Sequence, residues 1–200
     1  MRFCADCSLC AKNHPQTILA ASTHPGEDEI ILDAFHAVHQ SAKNLKLIIA
    51  PRHVKRAKDV KALAKTRGLN TTFLDSTNSN ANVYIVNQLG TLPSLYNLAA
   101  ITIVGGSLVP DIGGHTPYEP AYAKSAIISG PHVNNFSNEY ETLKAMNGAI
   151  ITPKDELTTS IRHAMETSET LSKNAYLALA SKSDPHQLFE DIAHCMGVKA

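Results

Sequence analysis

Residues 101–120 read Ile-Thr-Ile-Val-Gly-Gly-Ser-Leu-Val-Pro-Asp-Ile-Gly-Gly-His-Thr-Pro-Tyr-Glu-Pro, a β-branched run followed by two glycine pairs, a histidine and a glutamate. The run Ile101–Val104 predicts a short buried strand, and the small residues beyond Pro120 predict a helix. The glycine-rich stretch is therefore a strand-to-helix connection. Open α/β sheets bind their ligands at such connections, beyond the carboxyl ends of the strands.

The polar content of this connection exceeds what two tight turns require. Glycine pairs at 105–106 and 113–114 permit positive φ angles and let backbone N–H groups approach a small polar ligand. His115 and Glu119 lie four residues apart in the same stretch. The pattern indicates a binding site, and His115 and Glu119 are candidates for ligand contacts.

Composition limits the classes of protein that remain. The 200 residues are 44% hydrophobic, which is enough for one substantial core or two small ones. Eighteen basic side chains balance eighteen acidic ones, so we expect no nucleic acid or other polyanion as partner. No stretch approaches the roughly 20 apolar residues that span a bilayer, and the first residues lack the pattern of a signal peptide. We expect a cytoplasmic location.

Three cysteines, Cys4, Cys7 and Cys10, form a C-x2-C-x2-C pattern near the N-terminus. The spacing fits part of an iron–sulfur or zinc site, but a fourth thiolate is missing nearby and Cys195 lies at the other end of the chain. We therefore expect reduced thiols in an N-terminal extension, residues 1–16, with no metal and no cofactor.

Strand and helix patterns alternate from residue 17 to about residue 152. Seven apolar runs predict strands: Thr17–Ala21, Leu45–Ala50, Thr71–Leu74, Val83–Val86, Ile101–Val104, Ala126–Ser129 and Ala149–Thr152. The first helix is predicted at Glu27–Gln40, with Ser22 or Thr23 as its N-cap and Pro25 in its first turn. Such alternation predicts an α/β fold, a Rossmann-like doubly wound parallel sheet. Residues 17–200 form one domain, with a helical tail from about residue 154.

Polar residues follow most of these strands and should meet at one edge of the sheet. Arg52 comes directly after the second strand and offers a permanently charged, bidentate contact to phosphate. Glu119 can accept hydrogen bonds from paired hydroxyl groups such as those of a ribose. Together they predict a nucleotide carrying a sugar as ligand.

Five motifs carry a family resemblance. They are Ala-Ser-Thr-His-Pro-Gly-Glu-Asp-Glu (21–29), Ile-Ala-Pro-Arg-His (49–53), Val-Gly-Gly-Ser-Leu (104–108), Gly-Gly-His-Thr-Pro-Tyr-Glu-Pro-Ala (113–121) and Gly-Pro-His-Val-Asn-Asn-Phe (130–136). In this order they resemble the C-terminal half of 3-deoxy-D-manno-octulosonic acid (Kdo) transferases, GT-B glycosyltransferases that move Kdo from CMP-Kdo onto the lipid A precursor. The resemblance covers roughly residues 17–165.

The resemblance implies a donor-binding domain, one half of a GT-B fold, with CMP-Kdo as its ligand. In the family, the first half carries the acceptor site, a membrane-anchoring segment and a catalytic glutamate, and we expect no counterpart of that half among these 200 residues. We therefore expect the catalytic base, the lipid A precursor and any membrane association from that half, at the cytoplasmic face of the bacterial inner membrane. This chain alone should bind the donor weakly and catalyse little.

By the same resemblance, Arg52 is similar to the arginine that contacts the donor phosphate, and Glu119 to the carboxylate near the ribose. Three roles stay open for His115: it orients Glu119, it contacts the donor, or it is a structural histidine bonded to a loop carbonyl. The predicted donor-binding residues are Ser22, Thr23, Arg52, His53, Gly105, Gly106, Ser107, Gly113, Gly114, His115, Glu119 and Asn135.

Two further interpretations remain open. A UDP-sugar-binding GT-B transferase or epimerase would use the same edge of the sheet, and a non-catalytic nucleotide-binding module would share its fold. A dinucleotide oxidoreductase is disfavoured, because residues 22–26 after the first strand read Ser-Thr-His-Pro-Gly and lack the G-x-G-x-x-G pattern.

Overall fold

One seven-stranded sheet organises the chain. The computed structural model describes residues 17–76 and 80–180. The strands are β1 (Thr17–Thr23), β2 (Lys46–Pro51), β3 (Thr71–Phe73), β4 (Val83–Ile85), β5 (Ile101–Val104), β6 (Ala126–Ser129) and β7 (Ala149–Ile151). Every neighbouring pair is parallel. The predicted α/β doubly wound fold is confirmed, and each predicted strand is present within two residues of its expected bounds.

Helices connect the strands and cover both faces of the sheet. They are α1 (Glu27–His39), α2 (Ala57–Thr66), α3 (Leu92–Leu98), α4 (Tyr118–Tyr122), α5 (Ser137–Ala145) and α6 (Leu157–Ala180). Short 3-10 turns at Val54–Arg56, Asn134–Phe136 and Lys154–Glu156 precede α2, α5 and α6.

The strand order is β3-β4-β2-β1-β5-β6-β7, which places β1 at the centre. The chain builds one half of the sheet from β1 towards β3 and β4, then returns to the other side of β1 with β5. The order of strands thus reverses between β1 and β5. In open α/β sheets, the carboxyl edge at such a reversal is the usual place for a ligand.

The pleat of β1 distributes its apolar side chains between two layers. Ile18 and Ala20 pack with α1, α2 and the first half of α6, whereas Leu19 and Ala21 pack with α3. The end of α6 joins α4 and α5 in a further cluster around Ile127. Helix α6 therefore contributes to both layers. Each fully buried aliphatic side chain in these layers stabilises the fold by about 1.5–3 kcal/mol.

The start of α1 differs from the prediction. Ser22 and Thr23 belong to β1 instead of capping the helix, because a bulge with Ser22 at φ 56° lets Thr23 pair with Pro51. Gly26, at φ 90°, is the N-cap, and Pro25 precedes the first turn. The helix itself begins at Glu27, as predicted, so only its N-cap and the residues before it differ from the prediction.

No helix within residues 17–76 and 80–180 combines the length and the apolar character that a bilayer span requires. The cysteine pattern at residues 4–10, Cys195 and the predicted helical segments beyond residue 180 lie outside the described residues. The predicted boundary between an extension at 1–16 and a domain at 17–200 stays a prediction.

Candidate functional site

We refer to the edge where the loop after β1, residues 24–26, meets the loop after β5, residues 105–117, as the crevice. These loops are neighbours because β1 pairs with β5, with Ala21 opposite Val104. The predicted site residues lie at the carboxyl end of β1 or follow β2, β5 or β6, so the parallel topology brings them to the same edge of the sheet. Their side chains nevertheless have very different surroundings.

Glu27, the first residue of α1, crosses the crevice and is completely buried. Its Oε2 accepts hydrogen bonds from the backbone N–H groups of Gly106 at 2.7 Å and His24 at 2.9 Å. Its Oε1 accepts from the N–H groups of Ser107 and Leu108, both at 2.9 Å. Four donors thus surround one carboxylate, which satisfies a buried negative charge without a cation.

This arrangement corrects the expectation that the N–H groups of the glycine loop are open to a ligand. The donors of Gly106 and Ser107 point at Glu27. The sequence analysis did not assign this role to Glu27, although the helical spacing of its neighbours indicates that it is buried. Glu27 lies four and eight residues before Ile31 and Phe35, so the helical period places it on the buried face of α1.

Asp28 forms a second buried polar group at the end of β1. It accepts a hydrogen bond from the Thr23 hydroxyl at 2.6 Å and forms an ion pair with Arg56. Arg56 also donates to the carbonyl oxygen of Thr23 at 2.9 Å. Burial raises the pKa of the Asp28 carboxyl, and the hydrogen bond from Thr23 and the charge of Arg56 oppose that rise. Thr23 is fully buried, and its hydroxyl group is engaged inside the protein.

His24 and His115 join the two loops through their rings. The Nε2 atoms lie 2.9 Å apart, and the rings stack with centroids 5.1 Å apart. One ring donates this hydrogen bond and the other accepts it. Burial lowers the pKa of both imidazoles, and the charge of Arg52 contributes in the same direction for both. The ring of His115 therefore bonds to the ring of His24, and not to the loop carbonyl that the sequence suggested as its structural partner.

The glycine pairs are required by close packing of the loops. A side chain at Gly105 would place its Cβ 2.5 Å from the carbonyl oxygen of Ser22. At Gly113, where φ is 88°, a Cβ would lie 2.7 Å from the side-chain amide of Asn135. Gly114 donates its N–H to the carbonyl oxygen of Gly106 at 2.7 Å, which ties the second glycine pair to the first.

Ser107 and Asn135 bind other parts of the protein. The Ser107 hydroxyl is fully buried, donates to the carbonyl oxygen of Val104 at 2.6 Å and accepts from the N–H of Gly130 at 2.8 Å. The Asn135 side-chain amide donates to the carbonyl oxygens of Ile112 at 2.9 Å and Gly114 at 3.3 Å. Both side chains therefore fix the shape of the loop after β5.

Arg52 and His53 lie exposed after β2. The backbone N–H of Arg52 donates to the carbonyl oxygen of Thr23 at 3.0 Å, which anchors it beside the loop after β1. Its guanidinium group makes no hydrogen bond or ion pair with any residue that the structure describes. The charge of Arg52 contributes to the lowered pKa of both His24 and His115, after burial as the main cause.

Glu119 lies in the first turn of α4 with its side chain exposed. Partial burial raises the pKa of its carboxyl, and its charge contributes to the raised pKa of the neighbouring Tyr96, for which burial is the larger cause. Arg52 and Glu119 are thus an exposed cation and an exposed carboxylate in the segments that follow β2 and β5. Within the described part of the chain, no cluster of three or more His, Cys, Asp or Glu side chains could hold a metal ion.

Comparison with known proteins identifies relatives by sequence. A Kdo transferase from Aquifex aeolicus is 39% identical over 127 residues, which are 64% of this chain and 35% of that protein. A probable mitochondrial Kdo transferase from Arabidopsis thaliana is 30% identical over 176 residues, which are 82% of this chain and 39% of that protein. The chain therefore spans little more than a third of the length of these relatives. No protein-family model matches the chain.

Solved structures agree with these relatives. The C-terminal CMP-Kdo binding domain of WaaA from Acinetobacter baumannii is 27% identical, with a TM-score of 0.74 over 84% of this chain and 90% of that domain. WaaG, a glycosyltransferase involved in lipopolysaccharide biosynthesis, shares the fold with a TM-score of 0.63 at 15% identity, over 91% of this chain and 47% of WaaG. The chain is thus a homologue of the Kdo transferases and corresponds to their C-terminal, GT-B type domain.

Proposed function

We propose that this chain is the donor-binding domain of an enzyme that transfers Kdo, and that CMP-Kdo binds at the carboxyl edge of its sheet. The observation that carries the proposal is the match to the CMP-Kdo binding domain from Acinetobacter baumannii, which extends over 90% of that domain. The position of the crevice, at the reversal of strand order between β1 and β5, supports the same assignment.

Arg52 and Glu119 are the side chains that we assign to direct donor contact. Both are exposed at the sheet edge. The planar guanidinium of Arg52 suits a bidentate contact to the donor phosphate, and the carboxylate of Glu119 suits the ribose hydroxyls. His53 and Ser22 border the same edge as further contacts.

The remaining predicted residues shape the site from within. Thr23, Ser107 and Asn135 direct their polar groups into the protein, and the glycine pairs allow the loops to approach one another. We assign these residues to the geometry of the crevice. The side chain of His115 bonds to His24, so it holds the two loops together at the mouth of the site.

The chemistry follows from the proposed ligand. Departure of CMP from the donor leaves negative charge on a phosphate, and the fixed positive charge of Arg52 stabilises that charge. Attack on the sugar by an acceptor hydroxyl requires a general base on the opposite side. We assign that base, the binding of the lipid A precursor and the contact with the inner membrane to the rest of the full-length protein.

Titration with CMP, beside UMP and NAD, tests the proposal by calorimetry or amide NMR. We expect selective binding of CMP, lost in Arg52→Ala and Glu119→Ala. Lys58→Ala on α2 and Glu141→Ala on α5 are matched controls, because both side chains are exposed on helices away from the crevice. Equal affinity for UMP would favour a UDP-sugar enzyme, and binding unchanged in both crevice variants would contradict the assigned residues.

A further inference from the structure

Glu27 occupies the position that a ligand anion often takes in a glycine-rich loop. Successive N–H groups at such a loop commonly converge on a phosphate. Here the N–H groups of Gly106, Ser107 and Leu108 converge on a carboxylate of the same chain, which arrives from the start of α1. The anion is therefore built into the protein.

The contacts of Glu27 form part of a closed ring around the crevice. Glu27 accepts from Gly106, whose carbonyl oxygen accepts from Gly114 at 2.7 Å. The next residue, His115, bonds through its ring to His24, and the backbone N–H of His24 returns to Glu27 at 2.9 Å. Each member of this ring therefore contributes to holding the two loops together.

We propose that Glu27 is a positioning residue, whose carboxylate acts as an internal anion that holds the loops after β1 and β5 in the arrangement that binds the donor. It lies beneath the surface and is completely buried, so it acts through the loops instead of contacting the ligand. The part of this proposal that concerns donor affinity rests on the proposed function. The part that concerns the loop N–H groups does not.

The four N–H donors around Glu27 make it possible to remove the charge of this side chain while its volume is kept. Each carboxylate oxygen of Glu27 accepts two N–H groups. A glutamine of the same size would turn its own NH₂ towards two of these donors in either orientation of its amide. Glu27→Gln therefore preserves the packing, but its side chain cannot accept hydrogen bonds from all four N–H groups. Glu27→Ala removes the side chain and leaves room for a small free carboxylate.

The experiment follows the amide resonances of Gly106, Ser107 and Leu108, together with CMP affinity. We expect both variants to shift these resonances and to weaken CMP binding about tenfold, as the loss of a charge-assisted hydrogen bond implies. Sodium formate should return the resonances and most of the affinity in Glu27→Ala, whereas sodium chloride at equal ionic strength should not. Formate should have no effect on Glu27→Gln, because its side chain fills the site.

Glu29→Ala is the matched control, since Glu29 lies in the same helical turn with its side chain exposed. We expect it to leave both measurements unchanged. Wild-type resonances and affinity in Glu27→Gln, or resonances of Glu27→Ala that do not respond to formate, would overturn the proposal. If Glu27→Ala does not fold, Glu27→Gln decides alone. If the unsubstituted protein binds no CMP, the proposed function fails, and the response of the amides to formate still decides the role of Glu27.

Discussion

The Nε2 atoms of His24 and His115 lie 2.9 Å apart, so two rings from loops 91 residues apart in sequence share one hydrogen bond across the crevice. The contact requires a proton on one Nε2 and a free lone pair on the other. Full protonation of both rings would direct two N–H groups and two positive charges at each other. The pair therefore links the geometry of the crevice to pH.

We predict that acid weakens the folded state through this pair. Burial lowers the pKa of both rings below the ordinary value of 6.5, with Arg52 adding to the effect and Glu27 opposing it for both. For a histidine with a lowered pKa, the stabilising contribution is complete above pH 6.5 and is lost as pH falls towards the folded-state pKa. His53 and Arg56 also lower the pKa of His24.

Urea unfolding at pH 7.5 and pH 5.5 measures this dependence. His115→Gln should lose about 1 kcal/mol at pH 7.5, the net value of one hydrogen bond, and should show a smaller further loss at pH 5.5 than the unsubstituted protein. His163→Gln is the control, because His163 is exposed on α6 and does not contribute to the lowered pKa of His24 or His115. A pH dependence that is the same in His115→Gln and the unsubstituted protein would contradict the prediction.

We predict that the Asp28–Arg56 pair matters far more to stability than the other ion pair of the described chain. The side chain of Asp28 is only 1% exposed, so Asp28→Ala leaves Arg56 without its partner in a mostly buried position. Breaking such a pair should cost about 3–5 kcal/mol. Asp33→Ala removes the partner of Arg67, but Asp33 is 64% exposed, and the loss should be at most about 1 kcal/mol. Similar unfolding midpoints for the two variants would refute this ranking.

We predict that Gly113→Ala is more destabilising than Gly68→Ala. Both residues have positive φ, 88° and 70°, so both substitutions strain the backbone by about 1–2 kcal/mol. Only at Gly113 does the new Cβ meet another group, the Asn135 amide, which must move away from the loop. We expect an additional loss of about 1–3 kcal/mol from this overlap. Thermal unfolding of the two variants provides the comparison, and equal losses would show that the loop accommodates the methyl group.

We predict that the chain alone transfers no Kdo. The proposed donor contacts hold the leaving group, while attack by the acceptor requires a base that we assign to the rest of the full-length protein. Incubation with CMP-Kdo and the lipid A precursor should release CMP no faster than buffer. The full-length protein, assayed in parallel, should be active and should lose activity in its Arg52→Ala form. Transfer by the isolated chain would show that it contains its own base.

The local pattern of residues determined the elements of this fold. The apolar β-branched run Ile101–Val104 forms a strand where it was predicted, because it is bounded by turn residues and is buried on both faces. The alternation of strands and helices was sufficient to predict a parallel sheet and therefore a polar edge containing Arg52 and Glu119. The five motifs, read in order, indicated the family.

Tertiary structure alone decided which polar groups are available at that edge. The sequence suggested that Thr23 and the N–H groups of Gly106 and Ser107 contact the sugar-nucleotide donor. In the structure, the Thr23 hydroxyl donates to Asp28, and the two N–H groups donate to Glu27. The contacts of Glu27 with the loop after β5 join residues 79–81 positions apart. They exist because β5 pairs with β1 at the centre of the sheet. The helical period of the sequence indicates that Glu27 faces inward. Only the strand order determines that its carboxylate binds the backbone of the loop after β5.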